Sequence, residues 1–155
     1  MAKSFFESYV TGDAALDRKL EQLKEKTRKK FTRAALSKGG TLLVRSIKAE
    51  APVGKTKKLK KSIGKSLKKV KSFKTGEDFQ GLRAGANVGK KAERSAPHTH
   101  LNVLGTQERF TKSGKSTGKM TANDFVKRGA TKALPAVDAA IKAELLKRID
   151  SEANK

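Results

Sequence analysis

Between Ala51 and Gly76 the chain carries ten lysines and no Asp or Glu, and it enters that stretch through Ala51-Pro52-Val53-Gly54. Proline disfavours helical geometry at the residue before it, so the apolar-periodic segment that leads up to Pro52 has to stop there. Ten like charges in 26 residues repel one another strongly enough that folding alone would not select them. An acidic partner is the natural explanation. The plainer alternative is a solvated face, which lysine runs often are.

A length of 155 residues with 35% hydrophobic side chains suits a single domain, residues 1–155, with one modest core. The net charge of +22 favours DNA, RNA, an anionic membrane surface or an acidic protein as partner. There is no cysteine, which excludes disulfides and thiolate metal sites and is compatible with assembly in a reducing cytoplasm. The first residues, Met1-Ala2-Lys3-Ser4-Phe5-Phe6, hold no sustained apolar run, so no signal peptide is expected. No run of about eighteen apolar residues occurs anywhere, so a soluble chain without a membrane partner is expected.

Leu16, Leu20 and Leu23 recur at helical spacing, and Phe31, Ala34 and Ala35 continue the stripe past Thr27. Leu42, Leu43, Val44, Ile47 and Ala51 resume it after Gly39-Gly40. This predicts an N-terminal arm over 1–13 and one long or once-broken helix over 14–50, with Gly39-Gly40 as a candidate break. In the basic segment and strands of 51–90, Leu59, Ile63, Leu67 and Val70 fit a basic amphipathic helix, whereas Leu67, Lys69, Lys71 and Phe73 fit a lysine-edged strand. Leu82, Ala84, Ala86 and Val88 alternate with Arg83, Gly85 and Asn87 as a half-buried strand does. A turn at Thr75-Gly76-Glu77-Asp78 would pair two such strands. Residues 91–122 read as a long loop anchored only by Leu101, Val103, Leu104 and Phe110. Phe125, Val126, Leu134, Val137, Ile141, Leu145 and Ile149 predict a C-terminal helix over 123–150, kinked or restarted near Pro135, with 151–155 a frayed tail.

Little in the chain points to catalysis. Gly114-Lys115-Ser116-Thr117 looks like the end of a phosphate-binding loop, but Arg109 stands where its first glycine is required and no apolar strand feeds it. His98 and His100 have no third ligand, and no acid pair or nucleophile sits in a recognisable setting. No active site, metal or cofactor is expected. For nucleic acid, the basic stretch has Phe73 as its only ring, so binding would engage phosphates without sequence preference.

Four features in order resemble the tail-component, or head-tail joining, family of tailed bacteriophages, also called tail-completion or neck proteins. They are Ala51-Pro52-Val53-Gly54 with Leu59 and Ser62-Ile63; the strand Val88-Gly89; His100-Leu101 through Gly105-Thr106 with Arg109; and Gly118-Lys119 through Phe125, ahead of a helix with Ala130 and Pro135. Together they span about residues 14–150. The chain differs where Val103 replaces an expected acid, and where Thr121-Ala122 and Asp124-Phe125 replace proline-containing pairs. Its lysine density between Lys55 and Lys74 is also higher than the pattern requires.

The resemblance implies an α/β (α+β) fold: a small twisted antiparallel or mixed sheet packed by a long N-terminal and a C-terminal helix, with a long loop. It implies a structural virion protein rather than an enzyme, a ring subunit of the neck, hexameric, made in the host cytoplasm. The ring would complete the proximal tail, meeting a head connector or stopper on one side and a tail tube or tail terminator on the other, with viral DNA passing through its channel. Pro52, Leu59, Ile63, His100, Leu101, Gly105, Thr106, Arg109 and Phe125 are its expected interface residues. Lys57, Lys58, Lys60, Lys61, Lys65, Lys68 and Lys69 would meet DNA or an acidic neighbour. The alternative is a basic protein that binds nucleic acid without sequence specificity, those lysines neutralising phosphates.

Overall fold

The structure, a computed structural model, describes residues 14–53, 57–71, 78–88, 96 and 98–154. Its elements are α1 (Ala14–Glu21), α2 (Glu25–Glu50), α3 (Lys58–Ser62), β1 (Ile63–Lys71), β2 (Asp78–Ala86), α4 (Thr99–Leu104) and α5 (Phe125–Ala153). Two long helices and a two-stranded antiparallel sheet make this the expected α+β fold. By contacts the chain divides into two compact units. The first comprises Met1–Leu42, Leu67–Arg83 and Leu134–Lys155, and the second Leu43–Ser66 and Ala84–Ala133.

In the first unit, Leu16, Phe31, Ala35, Val137, Ile141, Leu145 and Ile149 are buried. The N-terminal helix is broken once, but at residues 22–24 and not at Gly39-Gly40. Gln22, Leu23 and Lys24 are good helix formers, so no local propensity marks the break. The new start is marked instead by Glu25, whose carboxylate lies at the favourable end of the helix dipole and pairs with Lys29 one turn on. Helix α2 then runs straight through both glycines. A Cβ at Gly39 would lie 2.7 Å from Ile141 Cγ1 and 3.2 Å from Val137 Cγ1, so the glycine lets α5 approach closely. Lys38 Nζ donates to Glu144 Oε2 at 2.9 Å beside that contact. Arg148 Nε donates to Glu144 Oε1 at 2.7 Å.

In the second unit, Ile47, Ala51, Ile63 and Phe125 form the core, with Leu43, Val44, Leu59, Ala84, Ala86, Val103 and Val126 packed around it. Gly129 brings α5 onto the backbone of α2, since a Cβ there would lie 2.7 Å from Ile47 Cα. Glu50 forms ion pairs with Arg128 at 3.6 Å and with Lys132 at 3.4 Å next to this crossing.

The ambiguous lysine stretch resolves into both alternatives in turn, a short helix α3 followed by strand β1. The expected alternating strand is β2, but it ends at Ala86 rather than including Val88, because Asn87 turns into a left-handed conformation with φ 56°. Phe73, Gly89 and most of the turn expected at Thr75-Gly76-Glu77-Asp78 lie outside the described residues. Helix α5 is continuous across Pro135 and extends to Ala153, through most of the expected tail. Proline removes one donor, and the turns on either side carry the helix past it. The stretch read as a loop holds helix α4 and, beyond it, a hairpin arm.

Candidate assembly surface

The surface around the second unit's core is built from short segments tied to one another by side-chain to backbone hydrogen bonds. Ser62, fully buried where α3 meets β1, donates from Oγ to the Leu59 carbonyl at 2.7 Å and so closes the last turn of α3. Its own carbonyl accepts the Asn87 amide at 3.0 Å. The Asn87 side chain then clamps Ala96, donating from Nδ2 to its carbonyl at 3.2 Å while Oδ1 accepts its amide at 2.9 Å. Ala96 in turn accepts the Thr99 hydroxyl at 2.7 Å, at the first turn of α4. An Asn at a positive φ that also satisfies a distant backbone pair is a turn and a tether at once.

Helix α4 ends at Gly105, with φ 74° and its amide donating to the Leu101 carbonyl at 2.9 Å. A Cβ there would sit 2.7 Å from the Met120 carbonyl oxygen and 2.8 Å from the Ala122 nitrogen, so both conformation and space call for glycine. From this point the chain goes out and returns. The Thr106 amide donates to the Met120 carbonyl and the Met120 amide to Thr106 Oγ1, both at 2.9 Å. Farther out, the Thr117 amide donates to the Arg109 carbonyl at 2.7 Å, Phe110 and Ser116 form an antiparallel bridge, and the Thr111 amide donates to the Lys115 carbonyl at 2.9 Å. Gly114, with φ 76°, turns the tip. All side chains from 107 to 122 are exposed. The apparent phosphate-loop residues are therefore one leg of a hairpin, where Ser116 Oγ donates to Glu108 Oε1 at 2.7 Å.

The expected interface residues divide sharply. Ile63 and Phe125 are 0% exposed and Leu59 packs against them, so their contribution is the core behind the surface. Pro52, Leu101 and Thr106 are half-buried, while His100 and Arg109 are exposed. Gly105 is the hinge from which the arm leaves. Of the four apolar residues expected to anchor the loop, Leu101 and Val103 are half-buried, whereas Leu104 and Phe110 are 60% and 63% exposed. The arm itself is what sequence reasoning missed. Its signal is the pair of turn glycines, Gly114 and Gly118, among Thr and Ser residues.

Of the lysines expected to meet an acidic partner, Lys57, Lys58, Lys61, Lys68 and Lys69 are exposed, and Lys60 and Lys65 half-exposed. Burial pushes the Lys65 ammonium below its ordinary value. Lys69 lines a shallow groove with Glu25, Arg28, Lys29, Thr32 and Gln80 in the first unit. Among the described residues no three His, Cys, Asp or Glu side chains gather as a metal site, and no helix is long and apolar enough to cross a membrane.

No curated protein and no solved structure is significantly similar to the chain. A family model does match, over residues 14–132, and it is the one described as "Bacteriophage HK97-gp10, putative tail-component". That span runs from the first turn of α1 into α5 and takes in the second unit's core, the clamp at Asn87 and the whole hairpin arm, so the chain belongs to the HK97-gp10-like family of bacteriophage tail components.

Proposed function

We propose that the protein is a structural subunit of the phage neck, forming a ring that completes the proximal end of the tail and joins it to the capsid connector, with an axial channel for DNA. Membership of a tail-component family carries this reading. The hairpin arm supports it, because an extension with no core of its own is an economical way for one subunit to reach another. In the ring the exposed lysines of α3 and β1 face acidic neighbours or the DNA end.

The test is a phage lacking the gene. DNA-filled heads and separate tails that lack the proximal ring should accumulate, and adding the purified protein should join them. Normal joined particles without the protein would refute the reading. A second reading, phosphate binding without sequence preference, is favoured by Lys57, Lys58, Lys61 and Lys68, which form no ion pair among the described residues. It predicts gel-shift binding to duplexes of any sequence, weakening steeply with salt, and particle joining that does not depend on those lysines.

A further inference from the structure

Helix α2 is most densely charged where a groove separates it from the sheet. Residues 24–33 hold six cations, Lys24, Lys26, Arg28, Lys29, Lys30 and Arg33, against the single acid Glu25, and all seven side chains are exposed. Glu25, Arg28, Lys29 and Thr32 recur at helical spacing, and that face lines a groove of about 350 Å³ with Lys69 of β1 and Gln80 of β2, all within the first unit. The hydrogen bond from Lys29, with the charges of Lys29, Arg28 and Lys69 around it, holds the Glu25 carboxyl below the usual carboxylate range. Neither Arg28 nor Lys69 forms an ion pair among the described residues. The one acid is thus answered by one cation of three, and two cations, a hydroxyl and a carboxamide are left lining the groove.

We propose that this groove holds the phosphate backbone of duplex DNA, with Arg28 and Lys69 pairing with phosphates and Thr32 and Gln80 donating hydrogen bonds to them. The site rests on the DNA contact that both readings above allow, and assigns it to side chains other than the α3 lysines. Arg, Lys, Thr and Gln are the donor types that meet phosphate oxygens. Residues 24–33 rise about 14 Å along the helix, a length over which a duplex carries about eight phosphate charges, so their net +5, six cations less one acid, is of the duplex's own order of charge density. A protein is the poorer occupant. Protein interfaces are depleted in lysine and anchor on apolar or aromatic side chains, and the exposed large hydrophobics described, Val53, Leu104, Phe110, Met120 and Leu146, all lie outside this segment and the groove. A single strand fits less well than a duplex, because Phe31, the only ring in residues 24–33, is buried and leaves bases nothing to stack on.

Fluorescence anisotropy of the full chain with a labelled duplex of arbitrary sequence tests the site. Arg28→Gln combined with Lys69→Gln should melt as the wild type does, since both side chains are exposed. At about 0.1 M salt it should bind at least about tenfold more weakly, because counterion release makes each phosphate contact worth up to about eightfold there, and its salt slope should be smaller by about two. Lys127→Gln combined with Lys147→Gln takes the same charge from exposed positions of α5 and should leave both quantities close to the wild type. Glu25→Gln, which frees Lys29, should tighten binding severalfold, whereas Asp150→Asn on α5 should not. If the wild type binds no duplex, the DNA contact itself fails and the site with it. If it binds but the groove pair loses no more affinity than the α5 pair, the site is wrong while the contact stands. Binding of polyglutamate as tight as that of the duplex, and lost in the groove pair, would assign the groove to an acidic protein and overturn the proposal.

Discussion

Gly39 and Gly129 both permit α2 and α5 to approach closely, yet they should respond differently to the same added methyl group. At Gly129 a Cβ would lie 2.7 Å from Ile47 Cα, 3.0 Å from Ile47 N and 3.2 Å from Ser46 C, all backbone atoms of a helix that cannot yield without moving as a whole. At Gly39 the atoms met at 2.7 and 2.8 Å are Cγ1 and Cδ1 of Ile141, a side chain that can turn aside. Glycine to alanine in a helix interior gains about 0.8–1 kcal/mol of propensity at either site. Overpacking costs about 1–3 kcal/mol, and contact with unyielding backbone atoms falls in the upper half of that range, so Gly129→Ala should be destabilised by about 1–2 kcal/mol net. Where the neighbour can give, the two terms nearly cancel, and Gly39→Ala should fall within about 0.5 kcal/mol of the wild type. Urea titration with a shared m-value measures both, and the melting temperature of Gly129→Ala should drop by roughly 2–8 °C. A Gly129→Ala protein as stable as the wild type would show that the two helices do not pack backbone against backbone there.

Three further expectations concern the arm, a carboxylate and the lysines. Gly105→Val, which places a branched side chain at φ 74° against the Met120 carbonyl, should loosen the base of the arm and speed tryptic cleavage after Arg109 and Lys112; unchanged cleavage would mean that the hinge tolerates any residue. Hydrogen bonds from Lys38 and Arg148 hold the Glu144 carboxyl below the usual carboxylate range. Its stabilising contribution is therefore complete above the unfolded-state value and lost as pH falls through the folded one, so Glu144→Gln should flatten the acid limb of a stability curve, and an unaltered limb would discount the pair. Replacing Lys57, Lys58, Lys60 and Lys61 with Gln should leave the melting temperature nearly unchanged, while DNA affinity falls equally for every sequence with a shallower salt slope; unchanged DNA binding and unchanged particle joining would make them a solvated face.

What could be read in advance followed from periodicity. The apolar stripes through Leu16, Phe31 and Ile47 and through Phe125, Val137 and Ile149 give the two helices, and the alternation from Leu82 to Ala86 gives a strand. What could not be read depends on partners distant in sequence. Gly39-Gly40 looks like a helix breaker until Ile141 is known to fill the space, and Gln22-Leu23-Lys24 gives no warning of a break. The Ala51-to-Gly76 stretch fits helix and strand equally well by pattern, and the switch between them falls at Ser62, whose hydroxyl is satisfied only within the finished turn. Leu104 and Phe110 invite a reading as anchors because apolar residues usually are, and only the backbone pairing of 106 with 120 shows them carried outward. At the candidate surface, Asn87, which ties β2 to the approach to α4, carried no signal beyond being an asparagine at a strand end.

Neither compact unit is a contiguous stretch of chain: the first is assembled from three separated segments and the second from two, and α2, β1, β2 and α5 each pass from one to the other. During synthesis, then, the second unit can close only once residues up to Ala133 have left the ribosome, and the first must wait for the segment from Leu134 onward. The nascent chain carries its lysine-rich segment through most of that interval, and like charges keep unfinished chains apart. Each unit joins segments distant in the sequence, so folding should be slower than in a bundle of locally connected helices, and a ribosome-bound chain halted before residue 134 should remain sensitive to protease within α2.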